Sequence, residues 1–147
     1  MFRKKKQEEQ AEYPEQSISV EEVQKAIQTL ANTLPIGVSL RTFVHEDHSI
    51  DYELLKPVLK AVPRETYYMS KETYEIFSDP EIPKQMDQVQ RAVDQYFQRT
   101  GGIPVAEADT SGKVSYLLIR DFLREEPDIS FYVDDQMLVS LQPPENR

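Results

Sequence analysis

Cysteine is absent from this chain of 147 residues. Its absence excludes disulfides, thiolate metal ligands, cysteine nucleophiles and a lipid attached to a cysteine. Long apolar runs are missing as well: no hydrophobic region follows the basic residues near the start, and no stretch of about 18 apolar residues occurs. We therefore expect a cytoplasmic protein without a transmembrane span.

Positive charge is in the minority. The chain has 17 lysine and arginine residues against 26 aspartate and glutamate residues, which gives a net charge of -9. An acidic chain repels nucleic-acid phosphates unless its basic residues gather on one face, and the sequence of the folded part shows no such gathering. We expect no nucleic-acid partner.

Both ends of the chain are polar. Residues 1–16 carry equal numbers of basic and acidic side chains, which predicts a disordered polar tail. Residues 143–147 are predicted to be a loose tail. The basic residues of the first tail could make weak contact with an anionic membrane surface. They are Arg3, Lys4, Lys5 and Lys6.

Two segments show clear helical signals. Ser19 and Glu22 form a capping box, which predicts a helix from residue 20 with an apolar stripe along one face. A second helix is predicted over 78–102, opened by a Ser-Asp-Pro cluster and closed by two glycines. In that helix, Asp87 and Arg91 are expected on the solvent side.

The remaining elements are shorter. Alternation predicts strands over 36–44, 66–69 and 103–108 and a hairpin over 129–141 that turns at Asp134 and Asp135. Residues 50–60 fit a strand or a helix, and we favour the helix. Ser70 is predicted to cap a short helix over 71–77, and 115–126 fits a helix better than a strand. The fold predicted is α+β: a single domain over 17–142, with one mostly antiparallel sheet and three to five helices.

The segment HEDH, residues 45–48, holds both histidines of the chain. Their spacing of three differs from the spacing of four that places two histidines on one helix face in zinc proteases. A metal site would need His45 and His48 to converge with Glu46 or Asp51, whereas the simpler interpretation is a solvated turn. We assign no catalytic, cofactor-binding or metal residue, and we expect neither enzyme activity nor a cofactor.

Tyrosines are concentrated between Tyr67 and Tyr74. Tyrosine suits both a core that needs a polar group and a protein interface. If Tyr67 or Tyr68 points outward from its strand, that residue is the first candidate for a contact surface.

The segments YYMSKETYEIF and FYVDDQMLVSL, with TGGIPV between them, resemble a family of short proteins from spore-forming Gram-positive bacteria. The resemblance covers about residues 35–141 and implies a bacterial setting, but the family carries no activity that could be transferred. Our hypothesis is a non-enzymatic protein-binding or regulatory module with a protein partner. The alternatives are a small metal-binding protein or enzyme centred on residues 45–48, and a small-ligand sensor.

Overall fold

The computed structural model describes residues 13–35 and 39–144. They form two compact units: the first reaches Met69 and includes Ile76–Pro80, and the second comprises Ser70–Glu75 and the chain from Glu81 onward. The single domain predicted over 17–142 stays a prediction. The predicted membrane-contact residues Arg3 to Lys6 lie outside the described residues, as do residues 145–147 of the second predicted tail.

The first unit begins with a short strand inside the segment predicted as a tail. Strand β1, Glu15–Gln16, pairs in parallel with β2, Val62–Pro63. Helix α1, Val20–Ala31, then begins where the capping box predicts, because the Ser19 hydroxyl accepts a hydrogen bond from the backbone N–H of Glu22. The unit buries one set of apolar residues: Ile18, Val23, Ala26, Ile27, Phe43, Ile50, Leu55, Ala61, Tyr67 and Met69.

The strand predicted over 36–44 is wrong where the structure describes it. Leu40–Phe43 form a 3-10 helix, since the Ser39 hydroxyl accepts a hydrogen bond from the Arg41 N–H at 3.1 Å and starts a turn. Residues 36–38 lie outside the described part. For residues 50–60, the strand and the helix interpretation each hold in part. Ile50 forms an isolated β-bridge to Val44, and helix α2 covers Lys56–Leu59.

The helix predicted over 71–77 is also wrong. Strand β3, Tyr68–Met69, pairs in antiparallel fashion with β4, Ile76–Phe77. Tyr74 has a positive φ of 64°, a left-handed conformation that interrupts any right-handed helix at this point.

The second unit is built around helix α3, Glu81–Thr100, which confirms the second predicted helix. Its buried residues include Met86, Val89 and Val93. The prediction that Asp87 lies on the solvent side is wrong, because Asp87 is only 2% exposed. Its carboxylate accepts hydrogen bonds from the Ser70 hydroxyl and from the backbone N–H groups of Lys71 and Glu72.

The hairpin near the carboxyl end is confirmed. Strand β5, Tyr132–Val133, pairs with β6, Val139–Ser140, and the Asp134 carboxylate accepts hydrogen bonds from two N–H groups of the turn. The strand predicted over 103–108 is reduced to a bridge between Val105 and Val114. The helix predicted over 115–126 is wrong, because only Arg120–Phe122 is helical and it is a 3-10 helix.

The mixed α+β class is therefore supported, with three α-helices among the described residues. The single predicted sheet is wrong: the strands form three separate two-stranded sheets. Each strand is only two residues long, so that most loop backbone has no neighbouring strand to bond to.

We expect Asp87→Ala to destabilise the protein by about 2–4 kcal/mol, because it leaves buried donors of the Ser70–Glu72 turn without an acceptor. Urea unfolding followed by circular dichroism measures the change. The matched control is Asp121→Ala, at an exposed position, which should stay within about 0.5 kcal/mol of the wild type. Equal losses for both variants would contradict the structural role of Asp87.

Two glycines with positive φ give a second test. Gly101 has φ 73° and nothing within 4 Å of an added Cβ, whereas at Gly112, φ 83°, the Cβ would lie 3.1 Å from the Val133 carbonyl oxygen. We expect Gly101→Ala to cost about 1–2 kcal/mol from the backbone conformation alone. Gly112→Ala should cost at least about 1 kcal/mol more by overpacking. Thermal unfolding of both variants measures the difference, and a smaller loss at Gly112 would contradict it.

Candidate functional site

A cavity of about 400 Å³ lies on the surface of the second unit, along the segment that replaces the predicted helix. We call it the 116–126 groove. It is lined by Tyr116, Leu117, Arg120, Leu123, Arg124, Glu125 and Glu126.

The inner side of the groove is anchored in the core. Ile119 is fully buried, which fixes the middle of the segment. The Tyr116 hydroxyl donates a hydrogen bond to the Ile129 carbonyl oxygen at 2.5 Å. Burial raises the pKa of Tyr116 to about 12, and the phenol therefore remains a protonated donor at neutral pH.

The outer side of the groove is held by α3. The Gln88 side-chain oxygen accepts hydrogen bonds from the backbone N–H groups of Arg124 and Glu125, at 2.8 and 3.1 Å. The Gln85 side chain forms two hydrogen bonds with Asp128. It accepts one from the Asp128 backbone N–H and donates one to the Asp128 carboxylate. A long helix thus fixes a loop that has no strand partner.

Apolar surface is exposed at the groove. Leu117 is 74% exposed, the largest exposure among the large apolar residues of the described chain, and the adjacent Leu118 is 42% exposed. Leu123 is half-buried in the lining. A partner that covers Leu117 would remove apolar surface from water, which is the usual source of binding free energy.

Two arginines add positive charge. Arg120 and Arg124 are exposed and line the same cavity as Leu117. Within the part of the chain that the structure describes, ion pairs join Lys56 to Glu53 and Lys84 to Glu81, and neither of these pairs includes an arginine of the groove. The groove can therefore bury an apolar side chain and donate guanidinium hydrogen bonds to an anion.

The HEDH segment forms a hydrogen-bonded turn in the first unit. The His45 N–H donates to the Ser49 carbonyl at 2.8 Å, and His48 adopts a positive φ of 74°. The Asp47 carboxylate accepts from the hydroxyl and the N–H of Ser49, and these hydrogen bonds lower the pKa of Asp47. Among the described residues, no three His, Cys, Asp or Glu side chains are placed to hold one metal ion.

The tyrosines divide between core and surface. Tyr67 is 9% exposed, and its hydroxyl donates to the Ile18 carbonyl oxygen at 2.6 Å. The Tyr67 N–H donates to the Tyr52 hydroxyl, which itself donates to the Glu65 carbonyl. Tyr67 is thus a core residue, and of the two strand tyrosines only Tyr68, which is half-buried, remains available as a contact residue.

The groove was missed by sequence reasoning because 115–126 was expected to be a helix. The run Leu117, Leu118, Ile119 carries the signal that could have found it. Three consecutive apolar residues point in three directions on a helix, and a single buried face cannot cover them all.

Comparison with known protein families gives a match over most of the chain. The model of a family described as "Protein of unknown function (DUF3939)" matches residues 13–141. The chain belongs to this family. No curated protein and no solved structure matches it. The resemblance to a family without assigned activity is thereby confirmed, while its restriction to spore-forming bacteria stays a prediction.

The family match includes both the HEDH turn and the whole 116–126 groove. Among the residues that the structure describes, no helix combines the length and the hydropathy that crossing a bilayer requires. Cytoplasmic location stays a prediction.

We expect Gln88→Ala to loosen the outer side of the groove without unfolding the protein. Hydrogen exchange followed by NMR should show faster exchange at the amides of Arg124 and Glu125, because their acceptor is removed. The Asp128 amide, held by Gln85, should keep its protection. Gln95→Ala, at an exposed position of the same helix, is the control. Unchanged exchange at Arg124 and Glu125 would contradict the role of Gln88.

Proposed function

We propose that this protein is a non-enzymatic binding module that takes a segment of a protein partner into the 116–126 groove. The observation that carries the proposal is the 74% exposure of Leu117 beside a cavity of about 400 Å³. Leu118 next to it is also exposed, at 42%, and exposed apolar residues grouped beside a cavity mark interaction sites.

The composition of the groove favours a protein segment over a small molecule. Small-ligand sites enclose most of the ligand, whereas four of the seven residues that line this groove are charged and exposed: Arg120, Arg124, Glu125 and Glu126. An apolar centre with a charged rim and arginine side chains is typical of protein interfaces.

The fixed position of the groove also supports binding. Gln88, on a 20-residue helix, holds the backbone of the lining residues Arg124 and Glu125, and buried Ile119 fixes the middle of the segment. Because the loop is already ordered, a partner does not have to order it, and less of the contact free energy is lost on binding.

Selection of short random peptides displayed on phage against the immobilised full-length protein tests the proposal. Peptides recovered on the wild type should bind Leu117→Asp at least about tenfold more weakly by calorimetry, because burial of a leucine contributes about 1.5–3 kcal/mol. Leu138→Asp is the matched control, since Leu138 is 47% exposed in the second unit but does not line the groove. It should bind like the wild type.

Two results would overturn the proposal: recovery of no peptide above the blank support, or equal affinity of the recovered peptides for the wild type and Leu117→Asp. A thermal unfolding curve that matches the wild type ensures that Leu117→Asp reports on binding alone.

A further inference from the structure

The segment bound by the 116–126 groove has a definite chemistry. We infer that it presents an aspartate or glutamate side chain next to an apolar side chain, and that Arg120 and Arg124 bind the carboxylate. The inference rests on the proposed function, because it names the class of partner for the same groove.

Charge complementarity is the first argument. Arg120 is the first residue of the 3-10 helix, Arg124 follows that helix four positions later, and both line the cavity that Leu117 and Leu123 line. The hydrogen bonds and ion pairs of the described residues involve neither guanidinium group. Guanidinium groups match carboxylates by two parallel hydrogen bonds, so two of them beside an apolar recess fit an apolar residue with an acidic neighbour.

Arg99, unlike Arg120 and Arg124, has its guanidinium group occupied by a contact within the protein. The Arg99 guanidinium lies 5.4 Å from the centroid of the Phe122 ring, a cation–π contact that occupies it within the second unit. Arg120 and Arg124 have no such ring contact among the described residues, and their side chains remain available to a ligand.

The carboxylate belongs to a side chain rather than to the end of the partner chain. Chain-terminal carboxylates are typically captured by free backbone N–H groups. At this groove the N–H groups of Arg124 and Glu125 are already bonded to Gln88, which leaves the arginine side chains as the donors.

The same groove limits how acidic the partner segment is. Glu125 and Glu126 line it too, and they also line a smaller neighbouring cavity of about 200 Å³ together with Glu81 and Asp128. A run of acidic residues would meet these carboxylates and be repelled. The partner segment therefore carries an isolated acidic residue, with no acidic tract.

The displayed peptides described above provide the test, with capped termini in all binding measurements. Sequences recovered on the wild type should be enriched in an apolar residue with one Asp or Glu within two positions, and depleted in acidic runs. Arg120→Glu and Arg124→Glu should each weaken the recovered peptides about tenfold. Arg91→Glu, the same charge change at an exposed position of α3, should leave their affinity unchanged.

A double-mutant cycle locates the contact. Replacing the acidic residue of a recovered peptide by its amide should weaken binding to the wild type about fivefold and leave binding to Arg120→Gln/Arg124→Gln unchanged, because the arginines are then already absent. The substitution in the peptide does not alter the protein, and the glutamine variants keep hydrogen-bonding side chains at exposed positions. We therefore expect both proteins of the cycle to remain folded, so that the measured affinities report on binding.

The outcomes separate the inference from the proposed function. Peptides that depend on Leu117 but show no acidic preference, or additive effects in the cycle, would overturn the inference and leave the binding module standing. Selection of acidic tracts would also overturn it. Loss of all peptide binding, or binding that is indifferent to Leu117→Asp, would overturn both.

Discussion

Hydrogen bonds from polar side chains of α3 to loop backbone are the interactions on which the second unit depends. Buried N–H and C=O groups must be paired, and strands of two residues provide few partners. Asp87 holds the Ser70–Glu72 turn, Gln88 holds Arg124 and Glu125, and Gln85 holds Asp128. Gln90 binds the β5–β6 hairpin through the Met137 carbonyl and the Val139 N–H. One helix thus performs the pairing that a larger sheet performs in most α+β domains.

This arrangement determines where a binding surface can form. A loop held by side chains through its backbone leaves its own side chains free to face solvent, because they are not needed to fix it. The Arg124–Glu125 segment shows this clearly: its N–H groups are bonded to Gln88, while both of its side chains are exposed. Loops on a rigid support are the usual location of binding residues in proteins.

The sequence predicted the elements whose signals are local. The Ser19 cap and the hairpin turn at Asp134 depend on hydrogen bonds that span only a few residues, and a sequence pattern contains both partners. The start of the 3-10 helix at Ser39 is also local, but alternation of apolar residues concealed it. Asp87 was misplaced because its partner Ser70 is 17 positions away, and no helical pattern reveals a contact of that kind.

The same reasoning explains why the groove was harder to predict than the fold. A helical interpretation of 115–126 does not say which of Leu117, Leu118 and Ile119 is buried, and only tertiary structure shows that Ile119 alone is fully buried there. Tertiary packing overrides the local preference, because buried Ile119 and the hydrogen bonds to Gln88 hold the segment in a form in which only Arg120–Phe122 is helical.

Some polar side chains of the second unit stabilise the fold, and others are exposed at the groove without a folding role. Asp87, Gln85, Gln88 and Gln90 are each accounted for by a backbone group that they bond, and folding alone explains their presence. Leu117, Arg120 and Arg124 are exposed and form no contact of that type among the described residues. In a chain with a net charge of -9, two arginines beside an exposed leucine do not serve solubility, since acidic residues already provide it. Their placement on a helix-supported groove is the basis of our proposal that a partner supplies a carboxylate and an apolar cover.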